Sequence, residues 1–211
     1  MMKNAKGDSA VVVIDDDDGV RTAVKGLLES VGLKAVLFKS AGEFLECTVP
    51  DTPCCMVLDV RMPKMSGLQL QEELARADVQ IPIVFITGHG DVTMAVRAMK
   101  AGAVDFLTKP FDNQALLDAV FAALERDRTR RSQRESISIM REHYNLLSVR
   151  EKEVLSHVAA GRLNKQIAAE LGISEVMVKV HRANGMRKMH AKSVADLVRM
   201  TDLLRVGQAS A

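Results

Sequence analysis

Residues 11–21, VVVIDDDDGVR, set Asp15, Asp16, Asp17 and Asp18 directly behind four strand-forming side chains. Two carboxylates about 5 Å apart repel by roughly 3 kcal/mol at an effective dielectric of about 20, so a cleft that gathers several of them calls for a cation. A solvated loop is the bland alternative, and the rest of the chain has to separate the two.

Downstream of this run, strand-like segments alternate with amphipathic helical ones. Residues 11–14, 33–38, 54–58, 81–86 and 104–107 are apolar almost continuously, as strands of a parallel sheet covered on both faces are. Gly32 and Gly102 stand where helices should end, and Ser40-x-x-Glu43 reads as a capping box. Five βα units predict an α/β, doubly wound, five-stranded parallel sheet. Such sheets bind ligands outside the carboxyl ends of their strands, where the strand order reverses.

Three strand ends deliver chemistry to that crevice: the aspartate run, then Asp59 from CCMVLDVRMPKMSG, then Lys109 from VDFLTKPF, with Thr87 from FITGHGD beside them. These types suit phosphoryl transfer to a carboxylate. Asp59 is the candidate nucleophile, Asp15 and Asp16 can hold magnesium, Lys109 adds a mobile positive charge, and Thr87 offers a hydroxyl to the new phosphate. Asp17 borders the site and Asp18 faces solvent at the helix start; His89 is read as a structural or surface residue rather than a catalytic one.

The near-neutral total hides an asymmetry. Residues 1–125 carry 12 Lys/Arg against 18 Asp/Glu, whereas residues 126–211 carry 17 against 9, which points to nucleic acid as a partner of the second part. Cys47, Cys54 and Cys55 have neither disulfide nor metal spacing. No apolar stretch reaches membrane-spanning length and MMKNAKGDSA lacks a signal-peptide core, so a cytoplasmic location without membrane contact is expected.

The second part reads as short helices. Ser148-x-x-Glu151 is a capping box, Asn164 is placed to cap a helix ending at Gly172, and Ser174 to cap one reaching about Met189. Two helices about Gly172 have helix-turn-helix spacing. On the last of these, positions 178, 181 or 182, 185 and 189 share a packing stripe, and positions 176, 179, 180, 183 and 187, with Lys179, Val180, Ala183 and Arg187, share the opposite one. That opposite stripe would enter the major groove, with Lys179 reading guanine and Val180 and Ala183 meeting thymine methyls. Lys165, Arg182 and Lys188 are expected on phosphates, and His181 either there or locking the helices.

With these residues in place, residues 9–126 resemble the receiver domain of bacterial two-component response regulators. The match lies in Asp15-Asp16, VLDVRMPKMSG around Asp59, Thr87, Phe106 and Lys109-Pro110. Residues 143–205 resemble the LuxR-type helix-turn-helix domain, through Glu151, Gly161, Asn164-Lys165, Ile167-Ala168, Ile173-Ser174, Val178-Lys179 and His181-Arg182. The whole chain is similar to the FixJ/StyR subgroup. The resemblance implies a flavodoxin-like receiver followed by a small all-α domain. It implies magnesium held by Asp16, Asp59 and the carbonyl of Arg61, with Asp15 assisting, a switch role for Thr87 and Phe106, and a cis bond before Pro110.

The organisation expected is a tail over 1–9, a receiver over 10–125, a helical linker over 126–142, a DNA-binding domain over 143–205 and a tail over 206–211. The function expected is a transcriptional regulator that accepts a phosphoryl group on Asp59 from a sensor histidine kinase, dimerises and binds double-stranded promoter DNA. RNA polymerase is a candidate further partner. Its only chemistry would be its own phosphorylation and dephosphorylation, without turnover. A magnesium-dependent phosphohydrolase is the alternative, although Arg61 occupies the position where its general acid would stand; a DNA-binding protein controlled without phosphorylation is another. Two departures from the LuxR-type pattern are Met177, in place of a threonine, and Gly185, in place of a bulky aliphatic, where lost burial predicts a weaker domain.

Overall fold

The computed structural model describes residues 9–48, 51–88 and 92–209, with the side chains of the final helix described through Leu204. His89 and residues 1–8 lie outside the described residues. The chain divides into two compact units, Met1–Arg131 and Ser132–Ala211.

In the first unit the apolar runs form β1 (Ala10–Ile14), β2 (Lys34–Phe38), β3 (Cys54–Asp59), β4 (Ile83–Thr87) and β5 (Asp105–Thr108). They make one parallel sheet in the order β2-β1-β3-β4-β5. Alternate side chains of each strand go to opposite faces, which is why both faces of the central strands are apolar. Ile14, Met56, Leu58 and Phe85 pack on one face with Phe44, Leu70 and Ala98, from α2 (Ala41–Leu45), α3 (Gly67–Arg76) and α4 (Val92–Lys100). Val13, Val57, Val84 and Ile86 pack on the other with Val24, Leu28, Leu116 and Val120, from α1 (Asp18–Ser30) and α5 (Asn113–Asn145). Each large side chain buried in this way contributes about 1.5–3 kcal/mol.

Several local expectations change. Asp17, read as bordering the site, does so through its amide, which donates to Asp15 Oδ1 at 2.9 Å, while its exposed side chain caps α1, its Oδ1 accepting from the amides of Gly19 at 2.7 Å and Val20 at 3.1 Å. Ser40 caps α2, but Glu43 reaches past it to the Lys39 amide at 2.8 Å instead of closing the box. Ser9, assigned to the tail, is buried and its hydroxyl accepts from Arg128 at 2.8 Å.

The first unit also extends past residue 125, to Arg131. Asp127, assigned to the linker, is fully buried; it accepts from the Cys54 amide at 3.0 Å, pairs with Arg131 at 2.8 Å and also pairs with Arg130. A buried carboxylate held by a strand N–H and two guanidinium groups fixes α5 to the start of β3, a packing that an apolar-stripe reading misses because the residue is polar. Cys54 and Cys55 are buried, and burial is the main cause that pushes both thiols up, away from a nucleophilic role.

In the second unit, α6 (Val149–Ala159), α7 (Asn164–Leu171), α8 (Glu175–Lys188) and α9 (Val194–Ala209) surround a core of Val154, Leu155, Ile167, Val178, Met189 and Leu197. Ser148 and Glu151 close a capping box on α6, and the Ser174 hydroxyl accepts from the Met177 amide at 3.2 Å to start α8. The turn between α7 and α8 uses Gly172 at φ 65°, a left-handed conformation that glycine adopts without steric cost. Asn164 is the first residue of α7, not its cap; the Leu163 amide is met by Gln166 Oε1 at 2.9 Å. Helix α9 runs to Ala209, past the expected boundary at 205.

Candidate functional site

Strand order explains why the acidic residues meet. β1 and β3 are neighbours although β2 lies between them in sequence, so the order reverses there, and Ile14 stands in register with Leu58. The next residue on each strand is a carboxylate, Asp15 on one and Asp59 on the other. Asp15, Asp16 and Asp59 each offer an oxygen within 4.8 Å of the others. Asp15 is fully buried and Asp59 is 6% exposed, whereas Asp16 is exposed.

Lys109 reaches this pair from the loop after β5. Its Nζ donates to Asp15 Oδ2 at 2.6 Å and lies 3.6 Å from Asp59 Oδ1. Its amide donates to the Thr87 carbonyl at 2.7 Å, and the bond to Pro110 is cis. Asp15 also accepts from the Asp17 amide at 2.9 Å through Oδ1, and Arg21 Nη1 donates to its carbonyl at 2.6 Å. Burial holds the Asp59 carboxyl above the usual carboxylate range; Lys109 opposes this, Asp15 and Asp16 add to it, and the Arg61 amide opposes it. Asp59 Oδ1 is buried and finds no hydrogen-bond donor among the described residues. An acceptor left without a donor beside two further carboxylates is what a hard cation with oxygen ligands requires, so these residues fit magnesium.

Thr87 is fully buried at the end of β4, and Phe106 on β5 is half-buried, its ring 6.3 Å from that of Phe85. Arg61 is exposed two residues after Asp59, the last residue of β3. Gly67 also belongs to the site, although only its place in VLDVRMPKMSG hinted at it. Its amide donates to the Val60 carbonyl at 2.9 Å, and a Cβ there would stand 2.3 Å from the Asp59 carbonyl oxygen. Only glycine lets the start of α3 come this close to Asp59.

In the second unit, Lys179, Val180, Ala183 and Arg187 are exposed along α8, while Val178, Gly185 and Met189 are buried beneath them. Lys165 is exposed on α7, and His181 is half-buried. Arg182 Nη1 donates to Asn164 Oδ1 at 3.3 Å. Lys188, expected on phosphate, is engaged within its own unit while staying 35% exposed: its Nζ pairs with the buried Glu151 at 2.7 Å and donates to the Leu146 carbonyl at 3.2 Å. A buried carboxylate needs that cation, so the internal pair competes with a contact to phosphate. Gly185 leaves no hole, because Leu155 fills it; a Cβ at 185 would meet Leu155 at 2.8 Å.

A switch-point carboxylate cluster on a parallel sheet, followed by a helix-turn-helix unit, defines a receiver joined to a DNA-binding module. The family model for the response regulator receiver domain matches residues 11–121, and that for bacterial regulatory proteins of the luxR family matches residues 145–201. The chain belongs to the two-component response regulators that carry a LuxR-type DNA-binding domain, a family of transcriptional regulators. It is 52% identical over 202 residues to nodulation protein W of Bradyrhizobium diazoefficiens, covering 96% of this chain and 89% of that one. It is 47% identical over 199 residues to the transcriptional regulatory protein FixJ of Azorhizobium caulinodans, covering 94% of each. A solved structure of the response regulator StyR is similar at 49% identity and a TM-score of 0.83, covering 92% of this chain and 98% of that one. No helix among the described residues is long and apolar enough to cross a membrane.

Proposed function

We propose that this chain is a phosphorylation-switched regulator that takes a phosphoryl group on Asp59 from a sensor histidine kinase, dimerises and binds promoter DNA. The observation that carries the reading is the buried Asp59 carboxylate, with one oxygen undonated, beside Asp15, Asp16 and the Lys109 ammonium. An Asp59 oxygen attacks phosphorus in line with the departing imidazole nitrogen. A P–O bond forms as the P–N bond breaks, and the imidazole keeps the electron pair and takes a proton from solvent.

Magnesium held by Asp15, Asp16, Asp59 and the Arg61 carbonyl would supply the positive charge that lets two anions approach. Lys109 leaves its bridge between Asp15 and Asp59 for a phosphoryl oxygen. The buried Thr87 hydroxyl turns toward the same group, and Phe106 follows into the space vacated. The α4 face, where Val92 is 81% exposed and Val96 and Met99 are each 45% exposed, supplies apolar area for a second receiver. Two DNA-binding units brought together bind paired half-sites more tightly than either alone. Lys179 and Arg187 on the exposed face of α8, with Lys165 on α7, carry the DNA contacts.

The test is treatment of the full chain with acetyl phosphate, with and without magnesium, read by intact mass and by sedimentation. One magnesium-dependent phosphoryl adduct that Asp59→Asn abolishes, with a shift to dimer, is the expected result. Steady turnover of phosphate esters would establish the phosphohydrolase instead, and DNA affinity unchanged by the adduct would establish regulation without phosphorylation.

A further inference from the structure

We propose that a cavity in the second unit binds a small monocarboxylate with an aliphatic or single-ring apolar body. The cavity, of about 300 Å³, lies among the end of α5, α6, the residue after α8, and α9. That volume is at the lower end of small-ligand sites. Its apolar floor comes from Leu155, Met189, Leu197 and Leu204, each no more than 8% exposed, while the exposed Arg141, Asn145 and Ser156 line its mouth.

The polar lining has one sign. Among the described residues that line it, Arg141 and Lys152 are charged and none is acidic. Lys152 Nζ sits 4.8 Å above the Tyr144 ring, a weak partner compared with a carboxylate, so an anionic ligand gains an ion pair there without displacing an acid. An apolar wall of buried leucines with cationic side chains among its lining matches a carboxylate bearing a hydrocarbon body.

The cavity has an origin in the sequence. At Gly185 the bare backbone admits Leu155 so closely that a Cβ would stand 2.8 Å from its Cδ1 and 2.9 Å from its Cγ. Leu155 therefore serves two places at once, packing against α8 at Gly185 and lining the cavity. A ligand there holds Leu155 against α8, which links occupancy to the helix that faces DNA. A side chain at 185 pushes Leu155 back and shrinks the cavity without touching the ligand.

The site is independent of phosphorylation, so its test reads ligand binding alone. The full chain is titrated by calorimetry with benzoate and hexanoate, and with acetate and benzyl alcohol as probes lacking the body or the charge. Benzoate and hexanoate are expected to saturate one site per chain, with acetate and benzyl alcohol at least tenfold weaker. Lys152→Gln, Ser156→Leu, which fills the cavity, and Gly185→Ala are each expected to weaken benzoate at least fivefold, with thermal melts confirming that each variant is folded. Absence of saturable benzoate binding, acetate binding as tight as benzoate, or affinity unchanged in both Gly185→Ala and Ser156→Leu would overturn the proposal.

Discussion

Lys109 Nζ donates to Asp15 Oδ2 at 2.6 Å and stands 3.6 Å from Asp59 Oδ1, so one ammonium is shared by two buried carboxylates. In this arrangement the lysine occupies charge that a divalent cation would otherwise meet, and its removal and the loss of an acid should act on metal affinity with opposite signs.

Asp16→Ala is therefore expected to weaken magnesium binding at least tenfold, and Lys109→Met to strengthen it. Magnesium titration of the full chain, followed by calorimetry, measures both. Equal affinity in wild type and Asp16→Ala would remove Asp16 from the site.

The Asp59 carboxyl titrates above its ordinary value, chiefly through burial. The native state therefore binds more protons than the unfolded state between the unfolded value near 3.8 and the raised native one, and stability falls as pH rises through that window. Asp59→Asn removes this cost. Its melting temperature should exceed that of wild type at pH 7 without magnesium, and the difference should vanish as pH falls below about 4.

Asp127→Ala removes the buried acceptor shared by the Cys54 amide, Arg130 and Arg131. The loss should be about 3–5 kcal/mol of stability in urea unfolding, with Asp127→Asn costing less because it keeps an oxygen for the amide.

Glu151 is held below its ordinary value, first by its hydrogen bond from Lys188 and then by the Ser148 amide. A depressed carboxylate stabilises the fold above its unfolded value near 4.5, and that contribution is lost as pH falls through the lower native value. Glu151→Gln should cost about 1.5–3 kcal/mol at pH 7, measured by thermal melts, and the gap should close in acid.

On the proposed function, Lys165 on α7 and Lys179 on α8 would make two kinds of DNA contact that separate by salt dependence. Lys165→Ala should lower affinity for all sequences alike and reduce the log–log salt slope by about 0.9. Lys179→Ala should cost about 1–3 kcal/mol at the operator and relax discrimination at one base pair. Binding assays on operator and unrelated duplexes at several salt concentrations distinguish the outcomes.

The apolar strand runs and the punctuation at Gly32, Gly102 and Gly172 made the α/β class, the element order and the helix-turn-helix legible, because periodicity and backbone permissiveness are local properties. Asp15, Asp16 and Asp59 could be nominated for one crevice because parallel strands all deliver their carboxyl ends to one side of a sheet. Lys188 could not be sorted from the other surface lysines, since its partner Glu151 lies 37 residues away. Asp127 read as linker because burial of a charge depends on donors from β3, which no local pattern displays.

The sequence by itself determined which segments are strands and helices, which carboxylates end β1 and β3, and which helix carries a free basic face. Only the tertiary structure decided that Asp127 is buried against the start of β3, that Lys109 is shared between two acids, and that Leu155 fills the space at Gly185. The first group follows from interactions within a few residues; the second depends on distances between groups up to 94 residues apart, fixed when the sheet and helices close on one another.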